Sequence, residues 1–130
     1  MLIGSSNNTV GGASPSERNV ISGNGNFGLQ IASSTGNVVQ GNFIGTDKTG
    51  TMRLSNASGI LLAGAGGNSI GGTGAGEGNL ISGNLSDGIL FQGLGSANFV
   101  RGNLIGTDVT GTRDLGNAGT GIQQELAFNV

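Results

Sequence analysis

Short apolar segments flanked by Asn or Gly recur along the whole chain. Their central residues are Val10, Ile21, Ile31, Val39, Ile60, Ile70, Ile81, Phe91, Val100 and Ile122. Successive centres are mostly 8 to 11 residues apart, with wider steps of 21 and 22 residues across each Gly-Thr-Asp-x-Thr-Gly-Thr motif. Each segment is too short for a helical pattern, and its alternation and β-branched residues are typical of brief strands. The pattern therefore predicts short strands separated by Gly and Asn corners.

The segment at 8–57 is repeated at 68–118. For example, Asn19-Val-Ile-Ser-Gly-Asn returns 60 residues later as Asn79-Leu-Ile-Ser-Gly-Asn. A period of this length favours stacked units. We interpret the chain, 1–130, as one all-β domain, a right-handed parallel β-helix, with long repeats at about 8–67 and 68–130. Counting two apolar segments to a coil predicts three coils per repeat and about six in all, a rod of about 25 to 30 Å at ordinary strand spacing.

The asparagines beside the apolar segments have a structural interpretation. They are Asn19, Asn24, Asn37, Asn42, Asn79, Asn84, Asn98 and Asn103. In a parallel stack, like residues lie above one another, so their amides can form a hydrogen-bonded ladder along the axis. Asn also tolerates left-handed backbone at corners. We expect these residues to serve the stack, with a sugar-binding role as the alternative for exposed members.

The composition agrees with a tightly turning chain. There are 29 glycines, one proline and no cysteine or histidine. Glycine supplies positive φ without steric cost, which frequent corners require. The net charge is −2, and the sequence shows no basic stripe of the kind that binds nucleic acid. No 18-residue apolar run predicts a membrane span, and Met1-Leu-Ile-Gly carries no visible signal peptide.

The succession Asn-x-Ile-Gly-Gly, Gly-Asn-x-Ile-Ser-Gly-Asn and Gly-Asn-x-Ile-Gly-Thr-Asp-x-Thr-Gly-Thr resembles bacterial right-handed parallel β-helix repeat proteins, which share the fold of the pectin-lyase-like superfamily. The resemblance covers about residues 7 to 122. Proteins of this broad family include surface and secreted proteins and polysaccharide-active enzymes, so the resemblance implies the fold and leaves the function open. If the chain belongs to a longer exported protein, the resemblance implies an extracellular or cell-surface location.

The charged residues give little support for catalysis. The acids are Glu17, Asp47, Glu77, Asp87, Asp108, Asp114 and Glu125, and the bases are Arg18, Lys48, Arg53, Arg101 and Arg113. Asp47 and Asp108 are repeat equivalents, predicted three coils or roughly 14 Å apart. Glycoside hydrolysis needs two carboxyls within about 5 to 9.5 Å. Asp108 and Asp114 remain open as a closer pair. We predict no catalytic, cofactor-binding or metal-binding residue.

The Gly-Thr-Asp motifs at 45–47 and 106–108 also suggest calcium binding, but the Gly-Gly-x-Gly-x-Asp tandem of calcium-binding repeats is missing. An Asp that turns its own loop is the preferred interpretation.

Two function classes follow from the sequence. The favoured one is a non-catalytic structural or binding module for glycans or proteins, and the alternative is a carbohydrate-active enzyme or a remnant of one. An open β-helix leaves unpaired strand edges at its ends. The segment Gly121 to Val130 breaks the pattern, because Gln123, Gln124 and Glu125 replace the apolar 61–63 of the first copy. We expect a homo-oligomer that associates through this coil end.

Overall fold

The computed structural model describes residues 2–95 and 97–125, and these form an all-β parallel β-helix. The strands are β1 (Leu2–Ile3), β2 (Thr9–Gly11), β3 (Val20–Ile21), β4 (Phe27–Ala32), β5 (Val38–Gln40), β6 (Phe43–Ile44), β7 (Ser58–Ala63), β8 (Ser69–Gly71), β9 (Leu80–Ile81), β10 (Ile89–Gln92), β11 (Phe99–Arg101), β12 (Leu104–Ile105) and β13 (Ile122–Glu125). One 3₁₀ turn spans Pro15–Glu17.

Every third strand stacks in parallel on the last. The first sheet has the order β1-β4-β7-β10-β13, the second β2-β5-β8-β11 and the third β3-β6-β9-β12. A coil therefore has three sides. We number the coils one (β1–β3), two (β4–β6), three (β7–β9) and four (β10–β12), and β13 starts a further turn.

The predicted coil count was wrong. Thr9 pairs with Val38, and Val38 pairs with Ser69, so one coil takes about 30 residues and one long repeat makes two coils. The four coils span roughly 19 Å at a strand spacing of about 4.8 Å, less than the predicted rod. The error has a local cause. Strand β6 follows β5 after only Gly41 and Asn42, and the predicted segments did not count its Ile44 as a separate centre.

The hydrophobic core is a column along the axis. In the second sheet the middle residue of each strand points inward, because side chains alternate across a strand. The fully buried members of the column are Ile31, Val39, Ile44, Ile60, Ile70, Ile81 and Ile89, each at 0% exposure. Val10 below and Val100 and Ile105 above are only partly buried, since no further coil covers them in the described structure.

Long loops occur at two corners of the helix and alternate from coil to coil. Between the second and third sheets, residues 12–19 and 72–79 are long loops, whereas 41–42 and 102–103 are two-residue corners. Between the third and first sheets, the long loops are 45–57 and 106–121 and the short ones 22–26 and 82–88. This alternation makes the sequence repeat two coils long.

Each long loop skips one coil and contacts its repeat equivalent. The Val109 N–H donates to the Gly50 carbonyl at 2.9 Å, although these residues belong to coils four and two. A loop that folds back on itself occupies about 10 Å along the axis, the usual spacing of packed layers. This is about twice the spacing of neighbouring coils. Loops of this size therefore fit on alternate coils.

Three asparagine ladders hold the corners, as predicted. They are Asn8–Asn37–Asn68–Asn98, Asn19–Asn42–Asn79–Asn103 and Asn24–Asn56–Asn84–Asn117. In each step the backbone N–H and Nδ2 of the lower Asn donate to Oδ1 of the next, as in Asn37 to Asn68, both at 3.0 Å. The inner asparagines are buried, and this pairing satisfies polar groups that would otherwise be costly to bury.

At most corners a left-handed residue, usually glycine, precedes the ladder Asn. Gly41 has φ +67°, and a Cβ there would lie 2.0 Å from the Gly12 carbonyl oxygen. The ladder asparagines themselves do not have positive φ, whereas Asn7, which precedes Asn8, takes the left-handed conformation at φ +60°. Ala97 occupies such a corner with φ +56°, which is strained for a residue with a side chain.

The break in the last coil was placed correctly. Strand β13 stacks on β10 and β10 on β7, so Gln123, Gln124 and Glu125 lie above the residues 61–63, two coils higher. Gln124 shares an inward-facing column with Phe91 and Leu62. The predicted pairing segment extends from Gly121 to Val130, of which 126–130 lies outside the described residues.

Candidate binding groove

A groove of about 350 Å³ runs along the outer face of the second sheet. Its floor is formed by the outward residues of β5, β8 and β11, and its wall by the loop 72–78, which we call the wall loop. The side chains that line it are Val38, Gln40, Ser69, Thr73, Glu77, Phe99 and Arg101. Glycines at 71 and 72 also line it, so the floor remains open between the side chains of coils two and four.

The wall loop is fixed by its own acid. The Glu77 carboxylate accepts a hydrogen bond from the Gly74 N–H at 2.7 Å. A Cβ on Gly72 would lie 2.2 Å from the same carboxylate, so a side chain at this position would have to displace the Glu77 carboxylate. One Glu77 oxygen is thus committed to the loop, while the residue still lines the groove.

Phe99 and Arg101 form the upper edge of the groove. The Arg101 guanidinium carbon lies 4.7 Å from the centre of the Phe99 ring, a cation–π distance. Phe99 is 45% exposed, so much of its apolar surface remains accessible. The groove therefore combines an aromatic surface, a five-donor guanidinium and the polar ends of Gln40 and Glu77.

The acids of the Gly-Thr-Asp loops stabilise their own turns, which confirms the preferred interpretation. Asp47 accepts from the Thr49 hydroxyl at 2.6 Å and from the backbone N–H groups of Thr49, Thr51 and Met52. The Thr49 hydroxyl and these N–H groups lower the pKa of Asp47 from 3.8 to about 2. Four donors to one carboxylate leave it with little capacity for a ligand.

Asp108 repeats this arrangement. It is 2% exposed and accepts from the Thr110 hydroxyl and three backbone N–H groups. The Thr110 hydroxyl lowers the pKa of Asp108. Asp47 and Asp108 were predicted to lie three coils apart, but they lie two coils apart and their loops are in contact through Val109 and Gly50. The predicted separation was therefore wrong, and the hydrogen bonds are what commits these acids to structure.

Three other acids also accept hydrogen bonds, either within their own loop or from the neighbouring coil. Glu17 accepts from the Ser14 N–H at 3.0 Å in a capping box. Asp87 accepts from the Thr120 N–H at 2.8 Å, and Glu125 from Nε2 of Gln92 at 3.3 Å. These contacts are structural.

The remaining charged residues are distributed along the corners. Asp114 is bridged through its backbone to Thr107 across the second Gly-Thr-Asp loop, and Arg53 to Thr46 across the first. Lys48 and Arg113 lie on the same two loops. Arg18 donates from Nε to the Gly41 carbonyl at 3.0 Å and lies over the Phe43 ring.

Nothing in residues 2–95 and 97–125 gathers three His, Cys, Asp or Glu side chains around a common point for a metal ion. Across the same residues, the structure has no helix of the length and hydrophobicity needed to cross a membrane.

Comparison with known proteins identifies no relative. No protein-family model, curated protein or solved structure matches the chain. The fold and the groove therefore define the class of protein, a parallel β-solenoid with asparagine ladders.

The groove was not predicted from the sequence, although one difference between the two repeats pointed to it. Gln40 and Arg101 are repeat equivalents that differ, and both line the groove. The neighbouring Val38 and Phe99 are likewise equivalents that differ. Without the two-coil register, the sequence could not show that these four positions share one face.

Proposed function

We propose that this β-helix is a non-catalytic binding module that holds a glycan segment in the groove of the second sheet. The observation that carries the proposal is the half-exposed Phe99 ring beside Arg101, opposite the polar groups of Glu77 and Gln40. Small-ligand sites of about 300 to 1,000 Å³ combine apolar surface with a few polar groups that fix orientation. A sugar ring presents both kinds of surface, so it is suited to this groove.

The proposal extends to origin, location and self-association. It assigns the chain to the pectin-lyase-like superfamily of bacterial β-helix proteins, on the motifs of its repeat, and to a surface or secreted protein. It also includes self-association through an open coil end, because the last coil leaves apolar side chains such as Leu104 and Ile122 exposed at 38% and 47%.

A hydrolase or lyase is the weaker alternative. Hydrolysis needs a carboxylic acid and a carboxylate free to exchange protons with a substrate. Asp47 and Asp108 are instead held ionised by their own loops, and Glu77 is the acid that lines the groove. These observations favour binding over bond cleavage.

A glycan array tests the proposal. The wild-type chain is compared with Phe99→Ala, which removes the ring from the groove, and with Leu94→Ala as control, since Leu94 is 80% exposed and does not line the groove. We expect one glycan class to bind wild type and the control, and Phe99→Ala to bind it at least tenfold more weakly. An array without binding, or equal binding by all three chains, would refute the proposal.

The same glycans serve to test the enzymatic alternative. After prolonged incubation with the bound polysaccharide, we expect no new reducing ends and no unsaturated product. Release of reducing ends or of unsaturated product would show that the protein is an enzyme and would refute the non-catalytic proposal.

A further inference from the structure

The two ends of the described β-helix are chemically different. At the lower end, no hydrogen bond within the described residues reaches Oδ1 of Asn8, Asn19 or Asn24, although Oδ1 of each inner ladder Asn accepts two. The lower end therefore presents three acceptors in the positions where a coil beneath would donate.

The upper end presents the matching donors. The ladder ends in Asn98, Asn103 and Asn117, whose backbone N–H groups donate to nothing in the part of the chain that the structure describes. Each Nδ2 group donates one hydrogen to a carbonyl of the coil below, such as Asn103 to Ile70 at 2.8 Å. A second amide hydrogen remains on each.

We propose that a second copy of this chain stacks head to tail on the first, with coil one of one copy on coil four of the other. This inference refines the self-association included in the proposed function and does not depend on glycan binding. Asn98, Asn103 and Asn117 would then donate to Asn8, Asn19 and Asn24 of the next copy, which extends all three ladders. A head-to-head dimer through coil four would oppose donors to donors.

The loop alternation is in phase across this junction. Coil four has a short corner at 102–103 followed by a long loop at 106–121. Coil one has the opposite order, a long loop at 12–19 and a short one at 22–26. The next copy therefore continues the alternation, because coils one to four make two complete two-coil repeats. Its loop 12–19 would cover the 102–103 corner as residues 72–79 cover Gly41.

Charge and apolar surface also match across the junction. Gln40 on coil two lies in one groove with Glu77 of the loop above it. In the repeat, Gln40 corresponds to Arg101 and Glu77 corresponds to Glu17. At the junction, Arg101 of one copy would therefore lie beside Glu17 of the next copy, and a cation would meet an anion. On the third sheet, Leu104 at the upper end and Val20 at the lower end are 38% and 45% exposed and would meet in one column.

One strand position is claimed twice. β1 lies against β4 within one copy, and β13 of the copy below would lie against the same strand. β13 has four residues and β1 two, so we expect β1 to give way. Removal of residues 1–3 should then strengthen association or leave it unchanged, and a loss of association would overturn this arrangement.

Two end-blocked variants test the direction of stacking. Leu104→Lys blocks the upper end and Val20→Glu blocks the lower end, while Leu85→Lys, at a side corner and 69% exposed, is the matched control. Sedimentation velocity over a range of concentrations reports the species formed, and circular dichroism shows that each variant is folded.

Head-to-tail stacking predicts a distinctive result from mixing. Wild type and Leu85→Lys should form dimers and longer species as concentration rises, and each blocked variant alone should remain a monomer. An equal mixture of the blocked variants should form a 1:1 dimer and nothing larger, because one intact upper end meets one intact lower end.

Other outcomes overturn the inference. A Val20→Glu chain that still dimerises while Leu104→Lys does not would mean a head-to-head contact, which retains self-association and rejects the stacking direction. Wild type that stays monomeric at millimolar concentration would reject self-association altogether. Either result leaves the glycan proposal to its own test.

Discussion

The asparagine ladder makes a quantitative prediction, because one ladder contains a fully engaged and a barely engaged member. Asn42 is fully buried, and its side chain makes four hydrogen bonds: Nδ2 donates to the Val10 carbonyl and to Asn79, and Oδ1 accepts twice from Asn19. Asn19, at the exposed end of the ladder, makes one side-chain bond, from Nδ2 to Asn42. The perturbation is alanine at each position.

The expected losses differ about fourfold. A hydrogen bond of this kind contributes about 1 kcal/mol net, and a buried partner left unsatisfied costs about 1 to 3 kcal/mol. Asn42→Ala should therefore lower the free energy of unfolding by about 4 kcal/mol, and Asn19→Ala by about 1 kcal/mol. A domain of this size is stable by about 5 to 15 kcal/mol, so Asn42→Ala should still fold.

Urea unfolding followed by circular dichroism measures both losses. With a slope of about 2 kcal/mol per molar urea, the midpoint should fall by about 2 M for Asn42→Ala and by about 0.5 M for Asn19→Ala. Equal shifts of the two midpoints would refute the reasoning. They would mean that the number of ladder hydrogen bonds does not determine the loss of stability.

Three further outcomes follow from single contacts. Ala97→Gly should raise the free energy of unfolding by about 1 kcal/mol, because glycine adopts the left-handed conformation without strain. The control Ala57→Gly, at a residue with negative φ, should lower it by about 0.5 to 1 kcal/mol. Thermal melts that rank the two variants in the opposite order would contradict this. Ser22→Ala should lower the free energy of unfolding by about 1 kcal/mol, since the Ser22 hydroxyl forms hydrogen bonds with two backbone groups of coil two. Ser82→Ala should lower it by almost nothing, because the buried Ser82 hydroxyl has no partner among the described residues. Equal urea midpoints for the two variants would contradict this difference. The pKa of Asp47 in the folded state, about 2, lies below its unfolded value, so the ionised carboxylate stabilises the fold fully above about pH 5 and this stabilisation is lost as the pH falls through 2. NMR titration of the Asp47 carboxyl carbon should show a midpoint near 2. A midpoint near 4 would contradict the prediction.

Much of the fold could be predicted because the signals are local and repeated. Gly-Asn corners mark a left-handed residue followed by a ladder member, as at Gly41 and Asn42, and this pair needs no knowledge of distant contacts. The number of coils could not be predicted in the same way. Whether two or three strands complete a turn depends on whether β5 and β6, which only Gly41 and Asn42 separate, are counted as one side of the coil or as two.

The acids show the same division. The role of Asp47 in its own turn follows from the Asp-x-Thr-Gly-Thr spacing, which places four donors within five residues of the carboxylate. Its distance from Asp108 does not follow, since it depends on the coil count and on loops that skip a coil. The groove is formed by side chains of three stacked coils. Its prediction would therefore have required the register in which those coils stack.

The two-coil repeat also explains how a groove with distinct side chains can occur on a molecule built of near-identical units. An exact repeat would place the same residues on coils two and four of the second sheet, and coil two carries Val38 and Gln40 there. Coil four instead carries Phe99 and Arg101 in the same strand positions, and the two pairs face each other across β8 and the wall loop. The backbone of both coils is held by the same ladders, so these side chains can change without altering the stack. Specificity can therefore evolve at outward strand positions, while the inward column and the corner asparagines preserve the fold.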